Sequence, residues 1–183
     1  SNGKAYQSYS TSFTEPWLGG KKANSLSVSA SHSRYVTNGL SDGDPLQQAA
    51  KITGASVGLG KRLKKPDDFF TIFYELSYQY FALKNYGSYF VFPSGFANVF
   101  SVGATISRNS IDAPIFPRKG SQLSLSLQLT PPYSLFNNTD YKTATDRVKY
   151  KYIEFHKWKF QSSWFTELVH NLVLNAKIQY GFL

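Results

Sequence analysis

The stretch Ser121-Gln122-Leu123-Ser124-Leu125-Ser126-Leu127-Gln128-Leu129-Thr130 decides the fold. Four leucines occupy alternate positions, with Ser124, Ser126, Gln128 and Thr130 between and after them. An extended backbone puts all the leucines on one face and all those polar groups on the other, whereas a helix would scatter both. The same alternation recurs along the chain. In 25–35, Leu26, Val28 and Ala30 oppose Ser25, Ser27, Ser29, Ser31 and Ser33. In 70–80, Phe70, Ile72, Tyr74, Leu76, Tyr78 and Tyr80 oppose Thr71, Phe73, Glu75, Ser77 and Gln79. In 172–182, Leu172, Leu174, Ala176, Ile178, Tyr180 and Phe182 make the apolar face. Further strands are expected near 5–15, 49–63, 97–108 and 150–165, about eight in all.

Such strands are long for a globular sheet and match the roughly 9–11 residues that cross a bilayer at a tilt. Their connections alternate in length. Short turns are expected at 16–24, 64–68 and 166–171, and longer loops at 37–48, 83–96 and 131–149. Residues 109–120 are intermediate but fall on the short-turn side. Outer-membrane barrels show this asymmetry, with short periplasmic turns and longer extracellular loops.

Composition agrees. Of 183 residues, 17% are charged, below the roughly 25% of a soluble domain, and the polarity comes instead from Ser, Thr, Asn, Gln and Tyr. The 13 Tyr and 15 Phe favour strands. No run approaches the ~18 apolar residues of a membrane helix. Without Cys there is no disulfide or thiolate metal site. Without Met or a signal peptide, and with a strand pattern starting almost at once, the chain reads as a piece of something larger. The net charge of +9 gathers at turns (Lys21-Lys22, Lys61-Arg62, Lys64-Lys65, Arg118-Lys119) rather than in one stripe. That placement suits anionic head groups or plain solvation, and no nucleic-acid partner is expected.

A soluble sandwich or lipocalin-type barrel would also alternate. Against it, the polar face is Ser, Gly, Thr and Gln rather than the Lys, Glu and Arg that keep exposed strands soluble. Aromatics also stand near the turns as an interfacial girdle requires, namely Trp17, Phe69, Phe70, Trp164 and Phe165. Long regular strands without helices are what a membrane barrel needs to pair every backbone group. Glu75, Arg62, Lys157, Lys159 and Lys177 fall on the polar face, which avoids the roughly 2–4 kcal/mol cost of a lipid-facing Lys or Arg at mid-bilayer. Arg108 falls on the apolar face close to a strand end, where it can snorkel. His156 also falls there, with no account from sequence.

Catalytic chemistry is not indicated. The only histidines are His32, His156 and His170; His32 lies on the face opposite the nearby serines, and no Ser sits in a Gly-flanked elbow. No metal-ligand spacing appears. Gly54, Gly58 and Gly60 share one strand face and read as room for close packing rather than a phosphate loop.

The segment from Arg108 to Ser121 is a strand exit, a Pro-stiffened turn, a glycine suited to positive φ and a strand entry. Its Phe116-Pro117-Arg118-Lys119-Gly120-Ser121, followed by an alternating Leu/polar strand, resembles the Phe-Pro-x-x-Gly-Ser motif of the BamA family of outer-membrane assembly proteins. Tyr6-Gln7-Ser8-Tyr9 leading to Phe13-Thr14-Glu15-Pro16-Trp17-Leu18 is similar to an early barrel strand of that family, and Gly58-Leu59-Gly60-Lys61-Arg62-Leu63 to another of its hairpins. The resemblance implies an all-β, antiparallel, up-and-down transmembrane β-barrel segment, residues 1–183 being about eight strands (three to ten) of a sixteen-stranded barrel. The periplasmic POTRA domains, the Val-Arg-Gly-Phe loop and both seam strands of the lateral gate would lie outside it.

The resemblance also implies a role and partners. The role is that of an insertase that folds barrel proteins into the Gram-negative outer membrane, needing no cofactor. Its partners would be the bilayer and lipopolysaccharide, nascent outer-membrane proteins and accessory assembly lipoproteins. The residues carried over are structural: Phe116, Pro117, Gly120 and Ser121. The alternative is a complete eight-stranded barrel with a structural, adhesive or passive transport role.

Overall fold

The computed structural model describes residues 5–20, 24–40, 43–86, 93–136 and 144–183. Lys21-Lys22 and parts of the three longer loops lie outside them. Eight strands follow in chain order: β1 (Tyr6–Glu15), β2 (Asn24–Val36), β3 (Ala49–Arg62), β4 (Phe70–Lys84), β5 (Gly95–Asn109), β6 (Gly120–Leu129), β7 (His156–Val169) and β8 (Leu172–Phe182). They form one sheet in the order β1 to β8, each antiparallel to its sequence neighbour. The sheet is open, and among the described residues β1 and β8 share no ladder.

The register assigns the two faces. Val28 pairs with Phe13 and Val57, Val57 with Leu76, Leu76 with Val102, and Val102 with Leu129. Leu127 pairs with Trp158 and Trp158 with Phe182. Period-two alternation thus stacks one apolar outer face across the eight strands, with Leu123, Leu125, Leu127 and Leu129 on it. Its large side chains are uncovered, as with Phe13, Leu76 and Ile178. The buried hydrophobic cluster lies on the inner face, where Leu83 and Ala97 join Ala50, while Val36 and Ala49 are buried on the outer face at the long-loop end.

Inner-face hydroxyls satisfy one another across strands: Ser8 with Ser33 at 3.1 Å, Ser29 with Ser56 at 2.8 Å, Ser77 with Ser101 at 2.7 Å, and Thr105 with Ser126 at 3.0 Å. Each hydroxyl can donate and accept, so a hydroxyl ladder stays paired without charge. At Gly58, which lacks a hydroxyl, an aromatic fills the gap. A Cβ on Gly58 would meet Phe73 Cζ at 2.2 Å, so the Phe73 ring occupies the space over that backbone.

Several expected boundaries move. The seventh strand begins at His156 rather than near 150 and runs on to Val169, leaving His170 and Asn171 as the turn, with Asn171 at φ 66°. A register irregularity between Glu167 and Val169 accompanies the extension. Residues 150–153 leave the ladder and lie beside the upper half of β5. Asn98 N donates to Lys151 O at 2.8 Å and Ile153 N to Asn98 O at 3.1 Å, with Asn98 and Tyr152 bridged in parallel. The loop expected at 83–96 is also shorter, because β4 reaches Lys84 and β5 starts at Gly95. The only described α-helices are two four-residue turns between β6 and β7, Tyr133–Phe136 and Asp146–Lys149.

Candidate functional site

The inner face is the polar surface that the sheet presents as a wall. By register, Glu75 stands between Gly58 and Gly103, Lys157 opposite Gln128, Lys159 between Ser126 and Gly181, and Lys177 opposite Ser163. The wall therefore grades from Ser and Gly on β1–β3, through one carboxylate on β4, to three ammonium groups on β7–β8, where Glu167 adds a carboxylate at the turn end. Arg62 closes the β3 end of this face, paired with Thr71.

The short-turn rim is built around Arg108. This residue pairs with Phe70 and Leu123 on the outer face, where an unpaired cation would be costly. Its Nε donates to Asp67 Oδ2 at 2.9 Å, and its Nη1 to Ser110 Oγ at 2.9 Å and Ser121 Oγ at 3.0 Å. The guanidinium carbon lies 5.5 Å from the Phe69 ring centroid and 5.9 Å from that of Phe70, within cation–π range. The side chain joins the β3–β4 turn to the β5–β6 turn. Snorkelling is thus replaced by a fixed anchor.

The β5–β6 turn has its own hub. The Asp112 carboxylate accepts backbone N–H bonds from Ala113 at 3.0 Å, Arg118 at 3.1 Å and Lys119 at 3.2 Å. These donors, Lys119 foremost, hold its carboxyl below the ordinary value of 3.8. Gly120 has φ +108°, and a Cβ there would stand 2.2 Å from the Ser110 carbonyl oxygen. The positive φ expected of this glycine is present. Ser121 is doubly engaged, with its Oγ taking the Arg108 bond and its carbonyl accepting from Ser110 N at 2.9 Å. Phe116, at φ 55°, is 89% exposed at the tip beside Pro117.

The aromatics expected at the interface divide. Trp17 and Trp164 are exposed, Trp164 on the outer face opposite Ser121 and Ala176. Phe70 is on the outer face, and Phe69 lies beside Arg108. Phe165 is a correction, because it pairs with Gly120 and Asn175 and so falls on the inner face. Neighbours in a strand cannot share a face. His156 is on the outer face at the start of β7, its ring 5.5 Å from that of Phe182. His32 Nδ1 is 2.8 Å from Thr53 Oγ1, and among the described residues no three His, Asp or Glu are grouped to hold a metal.

Sequence reasoning missed the partners of Arg108 and the role of Asp112. An arginine breaking an apolar stripe was the available signal that an acid must lie nearby in space. It also missed that Arg34, Lys51, Lys61 and Lys84 lie on the outer face toward the strand ends.

Comparisons with known proteins bear on this arrangement. The domain model of the Omp85 superfamily matches residues 1–183. Among solved structures, the crystal structure of BamA from Haemophilus ducreyi lacking POTRA domains 1-3 superposes with a TM-score of 0.64 at 19% identity, covering 97% of this chain and 33% of that one. The chain thus spans about a third of that BamA chain, and at such identity the likeness is one of fold. No curated protein sequence matches it.

Proposed function

Because this chain belongs to the Omp85 superfamily, we propose that it forms part of the barrel wall of an insertase that folds and inserts β-barrel proteins into the outer membrane of Gram-negative bacteria. The observation that carries the reading is the whole-length family match borne by a sheet whose outer face is apolar over most of its extent and whose β1 and β8 do not pair with each other. A free-standing eight-stranded barrel would close β1 onto β8. The role is mechanical rather than enzymatic. An outer face of uncovered Leu, Val, Phe and Tyr suits lipid, and the hydroxyl-lined inner face suits a wet lumen. The short-turn rim then faces the periplasm and the long loops face outward, toward lipopolysaccharide. Nascent barrel proteins are the clients, and accessory assembly lipoproteins the partners.

The experiment is depletion of the full-length protein in its host, reading the heat-modifiable folded fraction of an abundant porin-type protein. Loss of folded porin, with a soluble periplasmic protein unchanged, is the expected result. Normal porin assembly after complete depletion would overturn the reading.

A further inference from the structure

Across most of the outer face the side chains are large and apolar, but on β2 and β3 toward the long loops they are small, polar or cationic. The outward cross-strand pairs there run Ala30–Ala55, then His32–Thr53, then Arg34–Lys51, with Lys51–Ala82 and Ala49–Lys84 on the next ladder. Small residues open a groove of about 480 Å³ floored by Thr11, Ala30 and Ala55 between the rings of Tyr9 and Tyr78. The Tyr78 hydroxyl donates to Asn98 Oδ1 at 2.7 Å, which fixes that wall. Further toward the rim, a second cleft of about 370 Å³ lies over Ala49 and Ala82 between Lys51 and Lys84, with Gly43 and Gln47 at its edge. Lys84 Nζ donates to the Asp44 carbonyl at 2.7 Å, which orients the ammonium and leaves it two further donors. The Asp44 carboxylate itself accepts from Leu46 N at 2.8 Å.

An apolar groove with cations at one end is complementary to one chemical class, an anionic lipid. We propose that this surface seats a phosphate-bearing lipid of the outer leaflet. Its phosphate lies between Lys51 and Lys84 with Arg34 adjacent, and an acyl chain lies along the floor of Thr11, Ala30 and Ala55. The spacing agrees, since Lys51 and Ala55 are four residues apart on β3, roughly 13 Å, about the reach from a head-group phosphate to the upper acyl chain. Placing the cations at head-group depth also removes the cost of carrying them on a lipid-facing surface. The proposal rests on the membrane reading above but not on the protein's handling of clients.

The test uses the full-length protein folded in detergent and native mass spectrometry with lipid A as probe. K51Q/K84Q is expected to weaken lipid A binding by roughly thirtyfold, two phosphate-facing lysines contributing about equally. K61Q, an outer-face lysine at the opposite rim, should leave it unchanged. A55L should weaken it by filling the groove, and lipid A stripped of phosphate should bind wild type as poorly as intact lipid A binds K51Q/K84Q. Equal binding by wild type and K51Q/K84Q, or an equal loss in K61Q, overturns the proposal. So does a result in which inorganic phosphate displaces lipid A completely and A55L has no effect, which would describe an anion site without a lipid seat. None of these readouts depends on client assembly, so failure here and failure of the insertase reading are separable.

Discussion

Gly120 is where a single methyl group should undo most of the β5–β6 turn. Its φ of +108° is disfavoured for any residue with a Cβ, which costs about 1–3 kcal/mol. The added Cβ would also stand 2.2 Å from Ser110 O, 2.8 Å from Ser110 C and 2.9 Å from Ile111 Cα. All three are backbone atoms, so no rotamer change relieves the overlap, and forced repacking adds about 1–3 kcal/mol. The sum, about 2–6 kcal/mol, is incurred at Cβ. Gly120→Ala should therefore already bring most of the loss, and Gly120→Val little more. Displacing Ser110 would also loosen its 2.9 Å bond to Ser121 O and the Ser110 and Ser121 hydroxyls that anchor Arg108. Lys119→Ala is the control, because only its backbone N–H serves Asp112. Membranes carrying each full-length variant, run unheated on a gel, report the folded fraction. A Gly120→Ala protein as folded as the Lys119→Ala protein would refute the steric argument.

On the inner face, Gly58→Ala should destabilise by about 1–3 kcal/mol, since its Cβ would meet Phe73 Cζ at 2.2 Å. Adding Phe73→Ala should recover part of that loss in thermal melts, and strictly additive losses would contradict the ring-over-glycine packing. At the rim, Arg108→Met should cost about 1–2 kcal/mol, the Arg108 and Asp67 side chains being 28% and 34% exposed. A double-mutant cycle with Asp67→Asn should show coupling of up to ~1 kcal/mol, and zero coupling would mean the 2.9 Å pair contributes nothing. The folded carboxyl of Asp112 titrates below 3.8, so its contribution is complete above that pH and is lost as pH falls through the folded value. Protection of the turn from acid-active protease should decline over that range in wild type, and Asp112→Asn should remove that component of the decline. Identical acid profiles for the two would dismiss the carboxylate hub.

Alternation made the strands and both faces legible, because period two is all that an amphipathic sheet needs in order to sort its side chains. Alternation reports extended backbone and not the partner, which is why 150–155 misled. Lys151-Tyr152-Ile153-Glu154 alternates and is held alongside β5, yet it makes one isolated bridge there. Phe165 neighbours Trp164 in sequence, but adjacent strand residues point to opposite faces, so only Trp164 stands on the apolar side. The glycine at 120 was readable from its place after Phe116-Pro117, but the anchor at Arg108 was not. Its acid, Asp67, comes from a different hairpin and meets it only when β4 pairs with β5. Arg34, Lys51 and Lys84 join the outer face only through the register at the long-loop end of β2–β4, where the alternation of large apolar side chains gives way to Ala, His and Thr.

The linear strand order carries a kinetic consequence. Every ladder joins sequence neighbours, so the sheet can grow hairpin by hairpin, with little long-range search. The steps differ in what they must close. Joining β7 to β8 requires only His170 and Asn171 to turn, while joining β6 to β7 must close the whole excursion 130–155. Loop-closure entropy makes that about 2 kcal/mol harder. The base of the excursion is pinned where Thr130 N donates to Phe155 O at 3.0 Å and Phe155 N to Thr130 Oγ1 at 2.6 Å. Strands β1–β6 and the β7–β8 hairpin are thus expected to zip up as two separate nuclei, and the clasp between Thr130 and Phe155 is the latch that merges them.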